Sequence, residues 1–177
     1  MDGTVRVRPV LLTALLAPFV GCALACGLVF AEPVIDRPAP DLVADTLDGG
    51  VFDLGKLHGD VVLVNYWATW CAPCRKDMPK LDAFYRRHRL NFQMIGISVD
   101  RPNDLAKVKK VAATLAYPVA MLKGVTTDGF GPPEGVPITW IVDAEGKVRD
   151  RMIDVRDELL ASLVVPLLPR QSEKPVK

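Results

Sequence analysis

Cys71 and Cys74, in Trp70-Cys71-Ala72-Pro73-Cys74, are the side chains of this sequence best spaced to do chemistry together. Cysteines at i and i+3 can close into a disulfide and reopen, so the pair suits reversible thiol–disulfide exchange. The same spacing could supply half of a zinc site or a static cross-link. Zinc needs two further ligands. The side chains left for that are His58, His88, Cys22 and Cys26, the last two within an apolar leader. A static bridge over so few residues closes a loop too small to stabilise much. Redox exchange makes the fullest use of the pair.

The flanking elements set the reactivity of the pair. The run from Val61 to Trp67 is apolar apart from Asn65 and follows the turn residues Gly59-Asp60, the pattern of a buried strand. Beyond the pair, Cys74, Met78, Leu81, Phe84, Tyr85 and His88 share one face at about 100° per residue. Arg75, Lys76, Lys80, Asp82, Arg86 and Arg87 lie opposite. A strand running into a helix puts Cys71 at the helix N-terminus. Unpaired N–H groups and the macrodipole there favour a thiolate, the reactive form. Pro73 suits a first helical turn, and Pro79 is expected to kink the helix. Asp77 is the anomaly. It falls on the apolar face one turn beyond Cys74, where a carboxylate is costly unless it is used or satisfied.

Around this unit the chain alternates. Two strand-like pieces between Leu42 and Leu57 flank Asp48-Gly49-Gly50, a hairpin signal. A strand is expected over 92–99. A helix with Leu105, Val108, Val111, Ala112 and Leu115 on its apolar stripe should follow, capped by Asp104. A short strand over 117–122, a Gly/Pro-rich loop over 123–135, a hairpin of 138–142 with 147–153 and a final helix over 157–168 complete the pattern. Strands alternating with helices, then a hairpin, specify an α/β domain with a central mixed sheet flanked by helices. Residues 41–169 form this domain, 32–40 a Pro- and charge-rich linker and 170–177 a polar tail.

Residues 1–31 differ from the rest. Arg6 and Arg8 precede an uncharged stretch from Pro9 to Ala31, the layout of a signal peptide or a membrane anchor through residues 9–31. Val29-Phe30-Ala31 offers a cleavage site, and Cys22 a position for lipidation. Both the cleaved and the anchored form place the domain outside the cytoplasm, where disulfides persist. If cleavage follows Ala31, Cys71 and Cys74 are the only thiols left. The net charge of +1 gives no reason to expect a nucleic-acid partner, and Arg86-Arg87-His88-Arg89 reads as a solvated helix end.

Four segments resemble a thioredoxin-fold family, the TlpA/ResA-like group of exported thiol–disulfide oxidoreductases. They are Ala39-Pro40-Asp41-Leu42, the run from Val64 to Cys74, Ile95-Gly96-Ile97-Ser98-Val99-Asp100, and the run from Gly135 to Asp143. The resemblance implies a thioredoxin-like fold with an N-terminal hairpin extension. It implies a cis bond before Pro137, beside the thiols. Val136 would then offer its backbone to a substrate segment, with Trp70 and Pro73 completing the contact surface. It assigns Cys71 as nucleophile and Cys74 as resolving thiol. Asn65 stands where thioredoxins have a titrating Asp. The exported group instead carries an acid three residues after the second cysteine, usually Glu, and Asp77 occupies that place. Asp77 is thus either a proton acceptor for Cys74 or a carboxylate satisfied by partners.

By the same resemblance the chain is a reductant of disulfide-bonded proteins. It needs no cofactor and no metal, and a membrane electron-conducting thiol reductase supplies it. Targets in such families include apocytochrome c thiols and copper-site cysteines. Three other functions share the fold. A thiol peroxidase needs a PxxxTxxC pattern, and Val64 and Ala68 occupy its Pro and Thr positions. A copper-delivery module uses CxxxC with a distant His, which the chain lacks after His88. A redox-inert binding module would leave the pair unused.

Overall fold

A computed structural model describes residues 33–169; the expected leader and the tail lie outside the described residues. The elements are β1 (Leu42–Thr46), β2 (Val51–Asp53), β3 (Val61–Trp67), α1 (Ala72–His88), β4 (Phe92–Ser98), α2 (Leu105–Ala112), β5 (Val119–Asp128), β6 (Ile138–Val142), β7 (Val148–Met152) and α3 (Asp157–Leu159). The strands form one mixed sheet in the order β2-β1-β5-β4-β3-β6-β7. β3 runs parallel to β4 and antiparallel to β6, and β4 runs parallel to β5. β1 and β2 form the N-terminal hairpin, and β1 joins the sheet antiparallel to β5.

Every residue of β3 is buried, as its near-continuous apolar run requires of a central strand. Its alternation feeds two cores. Val61, Leu63 and Trp67 pack with Met78, Leu81 and Phe84 of α1, Val108 of α2 and Leu160. Val62, Val64 and Tyr66 pack with Ile95, Ile97 and Trp140 on the other face. Each buried Leu, Met or Phe on α1 contributes about 1.5–3 kcal/mol, which anchors the helix against the strand that delivers Cys71. Gly96 lets this packing close. A Cβ there would lie 3.1 Å from both Trp67 Nε1 and the Tyr117 ring.

Four local readings change. β5 extends to Asp128 because its second half pairs with β1, Leu42 opposite Asp128, a long-range partner that outweighs the Gly and Lys of the segment. Asp104 does not cap α2. Its carboxylate takes the Lys107 ammonium at 2.6 Å, and a 3-10 turn on Pro102 leads into the helix. The C-terminal helix is irregular: α3 passes into a π turn (Leu160–Val164) and then a 3-10 turn (Val165–Leu167) that contains Pro166, which has no N–H to continue an α-helix. The segment before β1 is tied down. Asp36 and Ala39 donate N–H to the carbonyls of Val148 and Gly146, and Arg149 bridges Asp36 and Asp143.

Candidate active site

β3 ends at Trp67 and α1 begins at Ala72, so a four-residue crossing (Ala68, Thr69, Trp70, Cys71) carries the first cysteine. Cys71 is the N-cap of α1, and its Sγ accepts the Cys74 N–H at 3.2 Å. Cys74 lies in the first turn, and the two are joined as a disulfide with Cα atoms 5.3 Å apart. Both are nearly covered, Cys71 at 4% and Cys74 at 2% exposure, whereas the neighbouring Trp70 is 68% exposed. The bond is thus reached beside an open indole, at a helix start whose Cys74 N–H already points at Cys71 Sγ. A thiolate released at Cys71 is stabilised by that helix end.

The Val136–Pro137 bond is cis. Ile138, next in the chain, pairs with Tyr66 near the end of β3, so the proline loop sits at the edge of the sheet where the cysteines emerge. Val136 packs against the cluster that contains both cysteines. Pro73 is exposed, and Val136 and Pro137 are half-buried. Asn65 and Thr139 are opposite one another on the same side of the sheet. The Asn65 amide donates to Thr139 Oγ1 at 2.8 Å, both residues being buried.

Asp77 is buried and has partners. Its Oδ2 accepts the Val155 N–H at 3.1 Å, and its Oδ1 lies 3.5 Å from Lys80 Nζ. Lys80 in turn donates to the Val155 carbonyl at 2.5 Å. The carboxylate therefore clasps α1 to the segment after β7, which accounts for its place on an apolar face.

Three site residues had no role in the sequence reading. Asp100, just beyond β4, is buried. Its Oδ2 accepts the Thr69 N–H and the Ser98 hydroxyl, each at 2.8 Å, and its Oδ1 accepts the Thr69 hydroxyl at 2.6 Å. This cluster fixes the residue two positions before Cys71. The available signal was Ser98-Val99-Asp100 closing an apolar strand, where polar residues look like ordinary turn formers.

The sheet order and the cysteine pair at a helix start place the chain among thioredoxin-fold dithiol proteins. Residues 35–151 match the AhpC/TSA family, and the chain belongs to that family, in its TlpA/ResA-like group of thiol–disulfide oxidoreductases. It is 32% identical over 123 residues to the thiol-disulfide oxidoreductase ResA of Bacillus thuringiensis, covering 67% of this chain and 69% of that one. It is 31% identical over 151 residues to the thiol:disulfide interchange protein DsbE of Allochromatium vinosum, covering 81% of each. Among solved structures, a thioredoxin family thiol:disulfide interchange protein of Chlorobium tepidum is 27% identical with a TM-score of 0.59, over 75% of this chain and 97% of that one.

Proposed function

We propose that the protein is an exported reductant of protein disulfides that works through Cys71 and Cys74. The observation that carries this reading is the disulfide at the start of α1, beside an exposed Trp70 and the loop that ends in Val136–Pro137. In the reduced protein Cys71, as thiolate, attacks one sulfur of a target disulfide. A mixed disulfide forms and the other target sulfur leaves as thiolate. Cys74 gives up its proton and attacks Cys71, the target leaves fully reduced, and the protein keeps the two-electron oxidised bond. Asp77 is the assigned proton acceptor for Cys74, while its Val155 and Lys80 partners hold it in place. Trp70, Pro73 and the Val136 backbone form the surface for the target segment.

The basic start of the leader and its uncharged run support export, with the domain periplasmic or otherwise outside the cytoplasm, released or anchored to the inner membrane. Among the described residues no helix is long and apolar enough to cross a membrane. A reductant in an oxidising compartment must draw electrons from elsewhere, so a membrane thiol reductase is the proposed partner. Apocytochrome c thiols and copper-site cysteines are the proposed target classes.

Redox titration of the full chain in detergent, followed by Trp fluorescence and thiol alkylation, tests this. The expected result is a two-electron midpoint at or below about −220 mV. A midpoint near about −120 mV would make the protein an oxidant, and the absence of a reversible transition would end the redox reading. Cys71→Ser should abolish exchange, whereas Cys74→Ser should accumulate a mixed disulfide with the target. A Cys71→Ser protein with full exchange activity would refute the assignment.

A further inference from the structure

A groove of about 400 Å³ opens beside Trp70, between the start of α1 and α2, and is lined by Trp70, Arg75, Asp104, Lys107, Lys110 and Val111 among others. A second stretch of about 480 Å³ shares Arg75 and Val111 and continues down α1 over Met78, Asp82 and Leu115. Its lining mixes apolar Met78, Val111 and Leu115 with charged side chains. The two carboxylates in the lining are already taken: Asp104 by Lys107 at 2.6 Å, and Asp82 by Arg86 at 2.8 Å and the Ala116 N–H at 2.6 Å. Arg75 and Lys110 both line the groove, are exposed, and among the described residues neither has a carboxylate partner. Two uncommitted cations among apolar side chains, starting at the exposed indole next to Cys71, call for an anionic chain with some apolar character.

We infer that this groove binds an acidic segment flanking the target's disulfide, so that the protein prefers targets whose reactive cysteine has Asp or Glu nearby. The inference rests on the exchange activity proposed above and adds the charge class of the target. Its reach follows from helix geometry. From Cys71 to Arg75 is four residues, about 6 Å at ~1.5 Å per residue. An extended chain rises ~3.3 Å per residue, so Arg75 lies about two target residues from the attacked cysteine. The acidic positions should therefore fall within about three residues of the cysteine that Cys71 attacks. Val136 lies at the proline loop, and the groove takes the part of the target chain that runs past Trp70 toward α2.

The test uses the full chain in detergent, pre-reduced, in single turnover against three peptides. Each carries one internal disulfide and differs only in having Glu, Gln or Lys beside the cysteine. Trp fluorescence reports oxidation of the protein as the peptide is reduced. Exposed ion pairs are individually weak, so two of them should make the Glu peptide about three- to tenfold faster than the Gln peptide at low salt, with the Lys peptide slowest. Lys110→Glu, whose new carboxylate offsets Arg75, should bring the three rates within about twofold of each other, as should 0.5 M salt. Equal rates for the Glu and Gln peptides in the unaltered protein would overturn the inference. So would a Glu preference that survives Lys110→Glu. Sedimentation with phosphatidylglycerol vesicles that Lys110→Glu abolishes, without a peptide preference, would assign the groove to a lipid surface and also overturn it. Failure of all three peptides to react would instead count against the exchange reading itself.

Discussion

Two loops meet at the disulfide, and each is tied to a strand end by one carboxylate, but at very different distances from the chemistry. Asp100 grips Thr69 at both its N–H and its hydroxyl, two residues before Cys71, and it is buried. Asp128 closes β5, accepts the Tyr66 hydroxyl and the Phe130 N–H, each at 3.1 Å, and lies nine residues before Pro137. Beyond that point the proline loop is held by packing, Phe130 against Trp140 with ring centroids 6.1 Å apart, and by its entry into β6. The loop with Cys71 is thus pinned two residues from the disulfide, and the loop opposite only at its root. This difference suits exchange with protein targets. Attack along a disulfide axis needs the sulfur held to a fraction of an ångström, whereas the facing surface must accept chains of varied shape.

If that comparison holds, breaking the Asp100 grip should do the most damage. Asp100→Ala leaves the buried Ser98 hydroxyl and the half-buried Thr69 N–H and hydroxyl without their acceptor. Unpaired buried groups cost about 1–3 kcal/mol each before relaxation, so a loss of about 3 kcal/mol in urea unfolding is expected. The single-turnover rate should fall about tenfold because Cys71 is no longer fixed. Asp100→Asn retains an acceptor and should recover part of both. An Asp100→Ala protein that is destabilised yet reacts at the normal rate would reduce Asp100 to a purely structural residue and remove the asymmetry between the loops.

The unequal legibility of these two devices has a physical origin. β3 is readable to the residue because a strand buried on both faces is apolar nearly throughout, and Cys71-Ala72-Pro73-Cys74 because helix-start chemistry is local. The cis bond before Pro137 came from resemblance, since an X–Pro bond carries no local mark of its isomer. The Asp100 cluster joins residues 31 positions apart, and nothing local distinguishes its Ser and Asp from turn formers. The sequence marks a strand only over 117–122 for the same reason, the outer half of β5 owing its form to β1 across the sheet. The apolar face of α1 marks Asp77 as anomalous, but its clasp on Val155, 78 positions away, leaves no local trace in the sequence.

Asp77 offers a second, smaller test of where rigidity is needed. Asp77→Asn keeps an acceptor for the Val155 N–H while losing the negative charge and the ability to take a proton. If it accepts the Cys74 proton, the resolving step should slow about three- to tenfold and its pH dependence should shift, with little change in thermal midpoint. This follows the usual contribution of a general base, discounted because the proton can also leave through water. Alanine at the same position should in addition release Val155 and lower stability. Unchanged exchange rates across pH for Asp77→Asn would leave the clasp as its whole role.

The smallest effect is expected at Asp128, and it carries a sign. Burial raises its pKa above the ordinary carboxylate value, although the Tyr66 hydroxyl and the Phe130 N–H pull the other way. Between that ordinary value and the raised one, the folded protein binds more protons than the unfolded chain. Stability that Asp128 contributes at low pH is therefore lost as pH rises through its folded pKa. Asp128→Asn cannot titrate, and its amide oxygen can still accept from Tyr66. The thermal midpoint of the variant relative to the unaltered protein should accordingly be higher at pH 7 than at pH 4. A difference that runs the other way would mean that the ionised carboxylate is what holds the root of the proline loop. Asp128 would then be a grip of the same kind as Asp100, and the two loops would differ only in how far each grip lies from the sulfurs.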